Sequence, residues 1–325
     1  MKKKPPFTSI GILNYPGASV SAVYGLMDIF TSANQMSIKR GEADHDLLQV
    51  SLWELRKHSI QVARNSPYDD LDQKGLTVLI VPPSLEEPWI KEFPSKLIDW
   101  VRDLHKGGTV VCSICAGAFL LARAGLLEGR VATTHWVFND QFGDMFPDVC
   151  LETDKLIIED TDIITAGGLM AWVNLGLKIV NRFISPHIML EVARFFLVDP
   201  SGREQRDYTT FSPSLQHGDK AILKTQHWLQ AHFGKKISLS KMASIAGLGE
   251  RTFLRRFQKS VFLNPTEYLQ QLRVGKAREL LESSTQTFEQ IAWKMGYEDS
   301  GAFRKIFQKL AGLSPGEYRR RFSLN

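Results

Sequence analysis

The sequence is poor in the features that mark membrane-spanning and disulfide-stabilised proteins. Within its 325 residues, no apolar run approaches the roughly 18–20 residues that a helix needs to cross a bilayer. It has three cysteines, an odd number without regular spacing, which argues against a disulfide framework and favours a reducing compartment. The basic start, MKKKPPFTSIGILNYPG, leads into a short apolar run broken by Asn14 and Pro16, which is a poor signal peptide. We therefore expect a cytoplasmic protein.

Signals for metals and nucleotides are also missing. The eight histidines are scattered and form no zinc-ligand spacing with the cysteines. The glycine turn in TAGGLMAW leads into a helix-like segment but has neither the G-x-G-x-x-G pattern nor the P-loop pattern. We expect no metal and no cofactor.

Charge is divided unevenly along the chain, which carries a net charge of +5 overall. Residues 1–216 contain 21 Lys and Arg against 26 Asp and Glu, whereas residues 217–325 contain 19 against 9. A compact basic end on an acidic body is typical of a nucleic-acid-binding domain. A basic surface that is merely solvated would give the same balance, so charge alone leaves both interpretations open.

The first two hundred residues alternate between short apolar runs and amphipathic helix-like segments, which predicts an α/β fold with helices on both faces of a mostly parallel sheet. The predicted strands are Thr8–Tyr15, Leu47–Leu55, Leu76–Pro83, Gly108–Ile114, Leu156–Asp160 and Asp162–Gly168. A polar stretch with two prolines then lacks periodicity, and only helical patterns follow it. The predicted organisation is a first domain over 1–200, a linker over 201–217 and a second domain over 218–325.

The second domain contains an internal repeat. Phe253 and Phe257 recur as Phe303 and Phe307 at an offset of 50, and each copy ends in the pattern P-x-E-Y. Each copy is predicted to form a helix, a glycine-containing turn and a second helix, which is the layout of a helix-turn-helix. The i, i+4 phenylalanines give each second helix an apolar stripe and leave its basic residues facing outward. A duplicated helical bundle that binds protein is the alternative.

The segment from about Gly218 to Phe322, through its terminal GLSPGEYRRRF, resembles the DNA-binding domain of the AraC/XylS transcriptional regulators. The resemblance implies an all-α domain in which a long helix, PTEYLQQLRVGKARELLESS, joins two helix-turn-helix units. Their second helices would enter major-groove segments about one turn apart, roughly 34 Å. The predicted base-edge contacts are Arg251, Thr252, Arg255, Ser300, Arg304 and Lys305. The predicted phosphate contacts are Lys259, Lys309 and Arg319–Arg321.

The stretch CAGAFLLARAGLLEGRVATTHW, which contains Cys115 and His135, places a cysteine between a predicted strand and a helix. With TVLIVPPS before it and DIITAGGLMAWVNLGLKIV after it, the stretch resembles the DJ-1/PfpI branch of the class I glutamine-amidotransferase-like fold. The resemblance implies an α/β sandwich with the cysteine on a tight turn, where a helix N-terminus favours a thiolate and a histidine can act as base.

Three departures from the family pattern argue against retained catalysis. Ala22 stands where the group usually has a carboxylate, Pro83 has no N–H to stabilise an oxyanion, and Ala116 rather than histidine follows the cysteine. Cys115 and His135 are thus degenerate catalytic candidates, and we expect no enzyme activity. Cys115 lines a ligand pocket, is a small residue inherited at a tight turn, or senses oxidation. A structural role is the alternative for His135.

The combination of these two domains resembles the GlxA-type subfamily of AraC regulators. This resemblance implies a transcription regulator whose first domain senses a small metabolite, such as an amine or amino-acid derivative. The predicted ligand-binding residues are Tyr15, Ser19, Ser84, Cys115, Ala116, His135, Trp136 and Trp172. The tryptophans suit a cationic head group but equally suit a core. Expected partners are double-stranded DNA, a small-molecule effector and a second copy of the chain, with RNA polymerase as a further candidate and no membrane. The competing hypotheses are a cysteine-dependent amidase-like enzyme and a redox sensor, each using Cys115 beside a DNA-binding domain.

Overall fold

The chain divides between Gln205 and Arg206 into two compact units, Met1–Gln205 and Arg206–Asn325. The structure, a computed structural model, describes residues 7–56, 59–63, 75–86, 92–200, 204–209, 211, 213, 215 and 217–323. The division falls inside the predicted linker, and residues 201–203, 210, 212, 214 and 216 of that linker lie outside the described residues. The domain boundaries stay a prediction.

The first unit is built on a seven-stranded sheet. Its strands are β1 (Thr8–Leu13), β2 (Leu48–Arg56), β3 (Ser59–Val62), β4 (Val78–Val81), β5 (Val110–Ile114), β8 (Ile157–Asp160) and β9 (Ile163–Ala166), and β6 (Val131–Ala132) and β7 (Cys150–Leu151) form a separate pair. The strand order is β3-β2-β1-β4-β5-β9-β8, with parallel pairing in the middle and an antiparallel strand at each edge. This confirms the mostly parallel sheet expected from the sequence.

Helices cover both faces of that sheet because successive strand residues point to opposite sides. They are α1 (Val20–Lys39), α2 (Ser95–Lys106), α3 (Gly117–Arg123), α4 (Asn139–Met145), α5 (Trp172–Phe183) and α6 (Pro186–Phe195). In β4, Val78 and Ile80 join the apolar cluster under α1, α5 and α6, whereas Leu79 and Val81 join the cluster under α2, α3 and α4. Continuous apolar runs in the central strands are therefore required by burial on both faces.

Three strands were not predicted, namely β3, β6 and β7. β3 is an edge strand in which only Ile60 is buried, and the other two are two residues long, so none of them carries an apolar run. Among the helices that the structure describes, none combines the length and apolar character that a bilayer crossing requires.

The described part of the second unit is helical. Its helices are α7 (Lys220–His232), α8 (Leu239–Ala246), α9 (Glu250–Val261), α10 (Pro265–Ser283), α11 (Phe288–Lys294), α12 (Ser300–Ala311) and α13 (Pro315–Phe322). Two apolar clusters form its core. One joins α7, α8 and α9 to the first half of α10, and the other joins α11, α12 and α13 to the second half of α10.

The repeated P-x-E-Y pattern starts a helix in both copies. Pro265 and Pro315 occupy the first turn of α10 and α13, where a missing N–H costs nothing. The glutamate two residues later closes a capping box with the residue before the proline, Asn264 in one copy and Ser314 in the other. The tyrosine that follows is buried in both copies. Helix capping and core packing therefore account for the repeated pattern.

Candidate functional sites

Cys115 lies on a strained turn between β5 and α3. Its φ is +52°, in the left-handed region that side chains rarely adopt, and its N–H donates to the Ala166 carbonyl at 2.7 Å. The Thr134 hydroxyl donates to the Cys115 carbonyl at 2.8 Å. The turn also needs Gly117, because a Cβ there would lie 2.7 Å from the Val81 carbonyl oxygen. The elbow geometry inferred from the sequence is present.

The thiol at this elbow is buried. Its residue is 3% exposed. Burial raises the pKa of Cys115 to about 12, and the hydrogen bond from the Ala116 N–H offsets this only in part. The expected helix effect is thus outweighed by desolvation, which disfavours the charged form. Ala22, where a carboxylate was expected in an active relative, is buried on α1.

Tyr15 and the two serines meet where the loops after β1 and β4 run side by side. The Tyr15 hydroxyl donates to the Pro82 carbonyl at 2.7 Å, and the Ser19 N–H donates to the Pro83 carbonyl at 2.7 Å. Ala18 and Ser84 form an isolated β-bridge. The chain leaves β1 toward β2 on one side and returns to β4 on the other, so this is a topological switch point, where open α/β sheets bind ligands.

A carboxylate that the sequence did not reveal also reaches this place. A Cβ on Gly17 would lie 2.8 Å from a carboxylate oxygen of Glu86, so that carboxyl group packs against the β1 loop. The pKa of Tyr15 is raised by burial first and then by the nearby Cys115 and Glu86, which places the tyrosine within electrostatic range of both. Glu86 comes from the loop after β4, on the opposite side of the switch point from the expected position at Ala22, and no spacing in the sequence signals it.

His135 serves its own loop. Its Nδ1 accepts the Val137 N–H at 3.2 Å and caps a single turn at Trp136–Phe138. Burial lowers the pKa of His135 and so favours the neutral ring, and acceptance at Nδ1 leaves Nε2 as the nitrogen that carries the proton. Among the described residues, no hydrogen bond links His135 to Cys115. The two loops are joined instead through Thr134.

The remaining predicted ligand residues are divided. Ala116 is buried directly after the elbow, and the Trp136 N–H donates to the Gln205 side chain at 3.2 Å. Trp172 packs on α1, where a Cβ on Gly25 would lie 2.4 Å from its ring. Its indole N–H is buried and has no hydrogen-bond partner among the described residues.

A separate cleft of about 540 Å³ lies at the other end of α3, away from the elbow. It contains none of the predicted ligand residues; its lining includes Arg102, His105, Lys106, Arg123, Glu128 and Arg130. Two of these side chains already contact a carboxylate: Arg130 and His105 both contact Asp162, at 2.6 and 2.7 Å. The described parts of the chain contain no group of three or more His, Cys, Asp or Glu that could hold a metal ion.

The outer face of α9 carries the first set of predicted DNA contacts. Phe253 and Phe257 are fully buried, so Arg251, Thr252 and Arg255 on the other face are exposed. Lys259 is exposed one turn further along the helix. Each of these residues therefore stays available to a ligand on that face.

Arg256, also on α9, has a structural role. Its guanidinium donates two hydrogen bonds, of 2.9 and 2.6 Å, to the Asp219 carboxylate, and Asp219 also caps α7. The hydrogen bond from Arg256 is the main cause that holds the pKa of Asp219 below its usual range. The ion pair ties α9 to the start of α7.

The second set of predicted DNA contacts lies on α12, and one of its residues, Arg304, already has partners inside the protein. Ser300, half-buried, opens α12. Arg304 donates to the Glu289 carboxylate at 3.1 Å, and its guanidinium lies 5.0 Å from the centre of the Phe288 ring. Lys305 and Lys309 are exposed.

The basic cluster on α13 is partly occupied inside the protein. Arg319 donates to the Gln286 carbonyl, and Arg321 contacts Asp207 at 3.0 Å. Arg320 is exposed. Of the three arginines predicted to contact phosphates, Arg319 and Arg321 thus already bind groups of the protein, and Arg320 is exposed.

Two family models match the chain. The DJ-1/PfpI family model matches residues 27–182, and a helix-turn-helix domain model matches residues 242–321. The chain is 25% identical over 225 residues to the HTH-type transcriptional regulator CdhR of Pseudomonas aeruginosa, which covers 69% of this chain and 66% of that protein. It is 21% identical over 312 residues to GbdR of Pseudomonas aeruginosa, covering 96% of this chain and 84% of that one. With GlxA of Rhizobium meliloti it shares 25% identity over 224 residues, covering 68% of each chain.

The sheet with its cysteine elbow, the duplicated helix-turn-helix and these relatives define the class of protein: a DNA-binding transcriptional regulator with an α/β domain at its N-terminal end. More narrowly, the chain combines a DJ-1/PfpI domain with a helix-turn-helix domain that follows it, the organisation expected from the sequence.

Proposed function

We propose that the first unit senses a small metabolite and that its occupancy controls operator binding by the second unit. The observation that carries the proposal is the meeting of the β1 and β4 loops at the switch point, with Tyr15, Ser19 and Ser84 there and Cys115 within electrostatic range of Tyr15. An effector bound there changes DNA affinity only if it binds one conformation of the regulator better than another.

An amine or amino-acid derivative suits this cleft. Glu86 supplies a negative charge beside the β1 loop, and Tyr15, within electrostatic range of it, is the aromatic neighbour for a cationic head group. The Ser19 and Ser84 hydroxyls can bond a carboxylate or hydroxyl on the same molecule.

A thermal-shift screen of the full chain against small amines, amino acids and betaines tests this proposal. A compound at about 100 times its Kd stabilises the protein by about 2.7 kcal/mol. We expect the effect to survive Cys115→Ala, to fall in Glu86→Gln and to be unchanged in Glu152→Gln, which removes an exposed carboxylate from another loop. A panel without any stabilising compound, or equal shifts for the Glu86 and Glu152 variants, would contradict it.

We further propose that the unit is not an enzyme. Burial raises the pKa of the Cys115 thiol to about 12, so the neutral thiol predominates at pH 7, which argues against a nucleophile or a fast peroxide sensor. Recovery of the stabilising compound unchanged after incubation with the protein supports this. Its conversion by the parent but not by Cys115→Ala would establish the amidase-like alternative, and peroxide-dependent DNA binding that Cys115→Ser abolishes would establish the redox sensor.

The functional form is proposed to be a cytoplasmic homodimer that recruits or blocks RNA polymerase. Exposed apolar side chains on α1 and α6, among them Val20, Tyr24 and Phe195, support a self-association surface. Light scattering should give twice the chain mass for the parent and the single mass for Phe195→Asp. In vitro transcription from a promoter that carries the selected operator tests the polymerase.

A further inference from the structure

Gln205 is the last residue of the first unit, and its side chain is buried within that unit. Its residue is 3% exposed, and its Nε2 donates to the Thr134 carbonyl at 2.8 Å and to the Lys155 carbonyl at 2.9 Å. Its Oε1 accepts the Trp136 N–H at 3.2 Å. Gly167 makes the space, since a Cβ there would lie 1.9 Å from the Gln205 Nε2.

A single residue, Thr134, links the Gln205 side chain to the cysteine elbow by hydrogen bonds. Thr134 accepts from Gln205 through its carbonyl, while its hydroxyl donates to the Cys115 carbonyl at 2.8 Å. Trp136, the other partner of Gln205, directly follows His135. The Thr134–Trp136 loop, which carries the predicted ligand residues His135 and Trp136, is thus held by the side chain of Gln205, a residue of the predicted linker.

The residues that follow Gln205 are held just as firmly, but inside the second unit. The Arg206 carbonyl accepts from Arg278 at 3.1 Å, and the Thr209 carbonyl accepts from the same guanidinium. Asp207, itself buried, pairs with Arg321. These partners lie on α10 and α13, beside the second helix-turn-helix.

We propose that Gln205 is a positioning residue that couples the sensing cleft to the second helix-turn-helix. Because Gln205 and Arg206 are consecutive, no free residue lies between the two anchors to absorb a displacement of the Thr134 loop. A movement of that loop is passed to the Arg206–Thr209 segment and so to α10 and α13. The inference rests on the proposed function, because it assumes that the cleft beside this loop is the regulated site.

Reciprocity allows a test without a known effector: if the cleft influences DNA binding, DNA must influence the cleft to the same extent. The probe is a duplex obtained by in vitro selection with the full chain, added at saturation. The readout is the rate at which iodoacetamide modifies Cys115, followed by peptide mass spectrometry. Cys115 is buried, so its alkylation reports local opening of the elbow.

In the parent we expect the duplex to change this rate about fivefold or more, the lower end of measured couplings. In Gln205→Met, which keeps the volume and loses the hydrogen bonds, the ratio of rates with and without DNA should fall to about one while the duplex still binds. Asp207→Asn, which loosens the anchor in the second unit, should also lower the ratio. Glu204→Gln weakens the half-buried ion pair with Lys155, keeps an acceptor for the Leu156 N–H, and should leave the ratio unchanged.

A ratio in Gln205→Met equal to that of the parent would overturn the proposal, as would a parent whose elbow does not respond to DNA. A uniform rise in alkylation with an unchanged ratio marks a merely structural role and also counts against it. Failure of the sensor proposal is seen separately, as a compound panel that stabilises nothing.

Discussion

Arg255 and Arg304 are predicted to contribute unequally to DNA recognition, because one is free and the other is already bound. Arg255 is exposed on α9 and forms no ion pair with any described residue, so its base contact costs little to make. A good bidentate contact discriminates by about 1–3 kcal/mol, so Arg255→Ala should weaken binding to the selected duplex by about 5- to 150-fold.

Arg304 must first leave Glu289 and the Phe288 ring. Breaking an exposed ion pair costs about 0–1 kcal/mol, and losing an exposed cation–π contact costs about 0.5–1 kcal/mol. The net loss for Arg304→Ala should therefore be smaller than for Arg255→Ala by roughly 1 kcal/mol, about fivefold in Kd. Glu289→Gln, which frees Arg304, should tighten binding by up to about fivefold.

Fluorescence anisotropy on the selected duplex and on a random duplex, each at several salt concentrations, measures these effects. Lys259→Ala is the comparison for a phosphate contact: it should weaken both duplexes alike and reduce the salt slope by about 1. Glu279→Gln controls for the loss of one exposed negative charge in the same unit. Equal losses on both duplexes for Arg255→Ala, or tighter binding by Glu279→Gln equal to that of Glu289→Gln, would refute the reasoning.

Burial and packing give four further predictions. Phe257→Ala, in the core of the first helix-turn-helix, should lower the free energy of unfolding by about 3–5 kcal/mol in a denaturant titration. Alkylation of Cys115 should rise about tenfold per pH unit from pH 7 to 9 without a plateau, because its pKa is about 12; a plateau near pH 8 would contradict this. Because the unfolded thiol ionises near pH 8.5 and the folded one does not, this residue's contribution to stability should fall as pH rises above that value. Gly167→Ala should destabilise the chain by about 1–3 kcal/mol by colliding with Gln205, whereas Gly275→Ala in open space on α10 should stabilise it by about 0.5–1 kcal/mol, both read from thermal melts.

The features that the sequence predicted well are those with a local period. The central strands are apolar runs because both faces are covered, and the i, i+4 phenylalanines at Phe253 and Phe257 required a buried stripe on α9. The elbow at Cys115 was recognisable because strand, turn and helix are consecutive. The short edge strand β3 escaped because only Ile60 is buried in it.

The features that the sequence did not predict depend on contacts between distant segments. Glu86 reaches the β1 loop from the loop after β4, and Gln205 bonds to Thr134, 71 residues earlier in the chain. Arg256 and Arg255 are neighbours with the same chemistry, yet only the fold turns Arg256 toward Asp219. Residue type gives the capacity for such a bond, and tertiary packing decides which residue makes it.

Because α10 is divided between two apolar clusters, this helix fixes the distance and the rotation between the two helix-turn-helix units. Tyr268 and Leu272 hold its first half to one helix-turn-helix, and Ala277 and Leu281 hold its second half to the other. An α-helix turns about 100° and rises about 1.5 Å per residue, so one residue inserted into α10 would rotate and shift one helix-turn-helix relative to the other about the axis of α10. Two DNA segments contacted by one chain should therefore be separated by a fixed distance, whichever bases the arginines of α9 and α12 select within each segment.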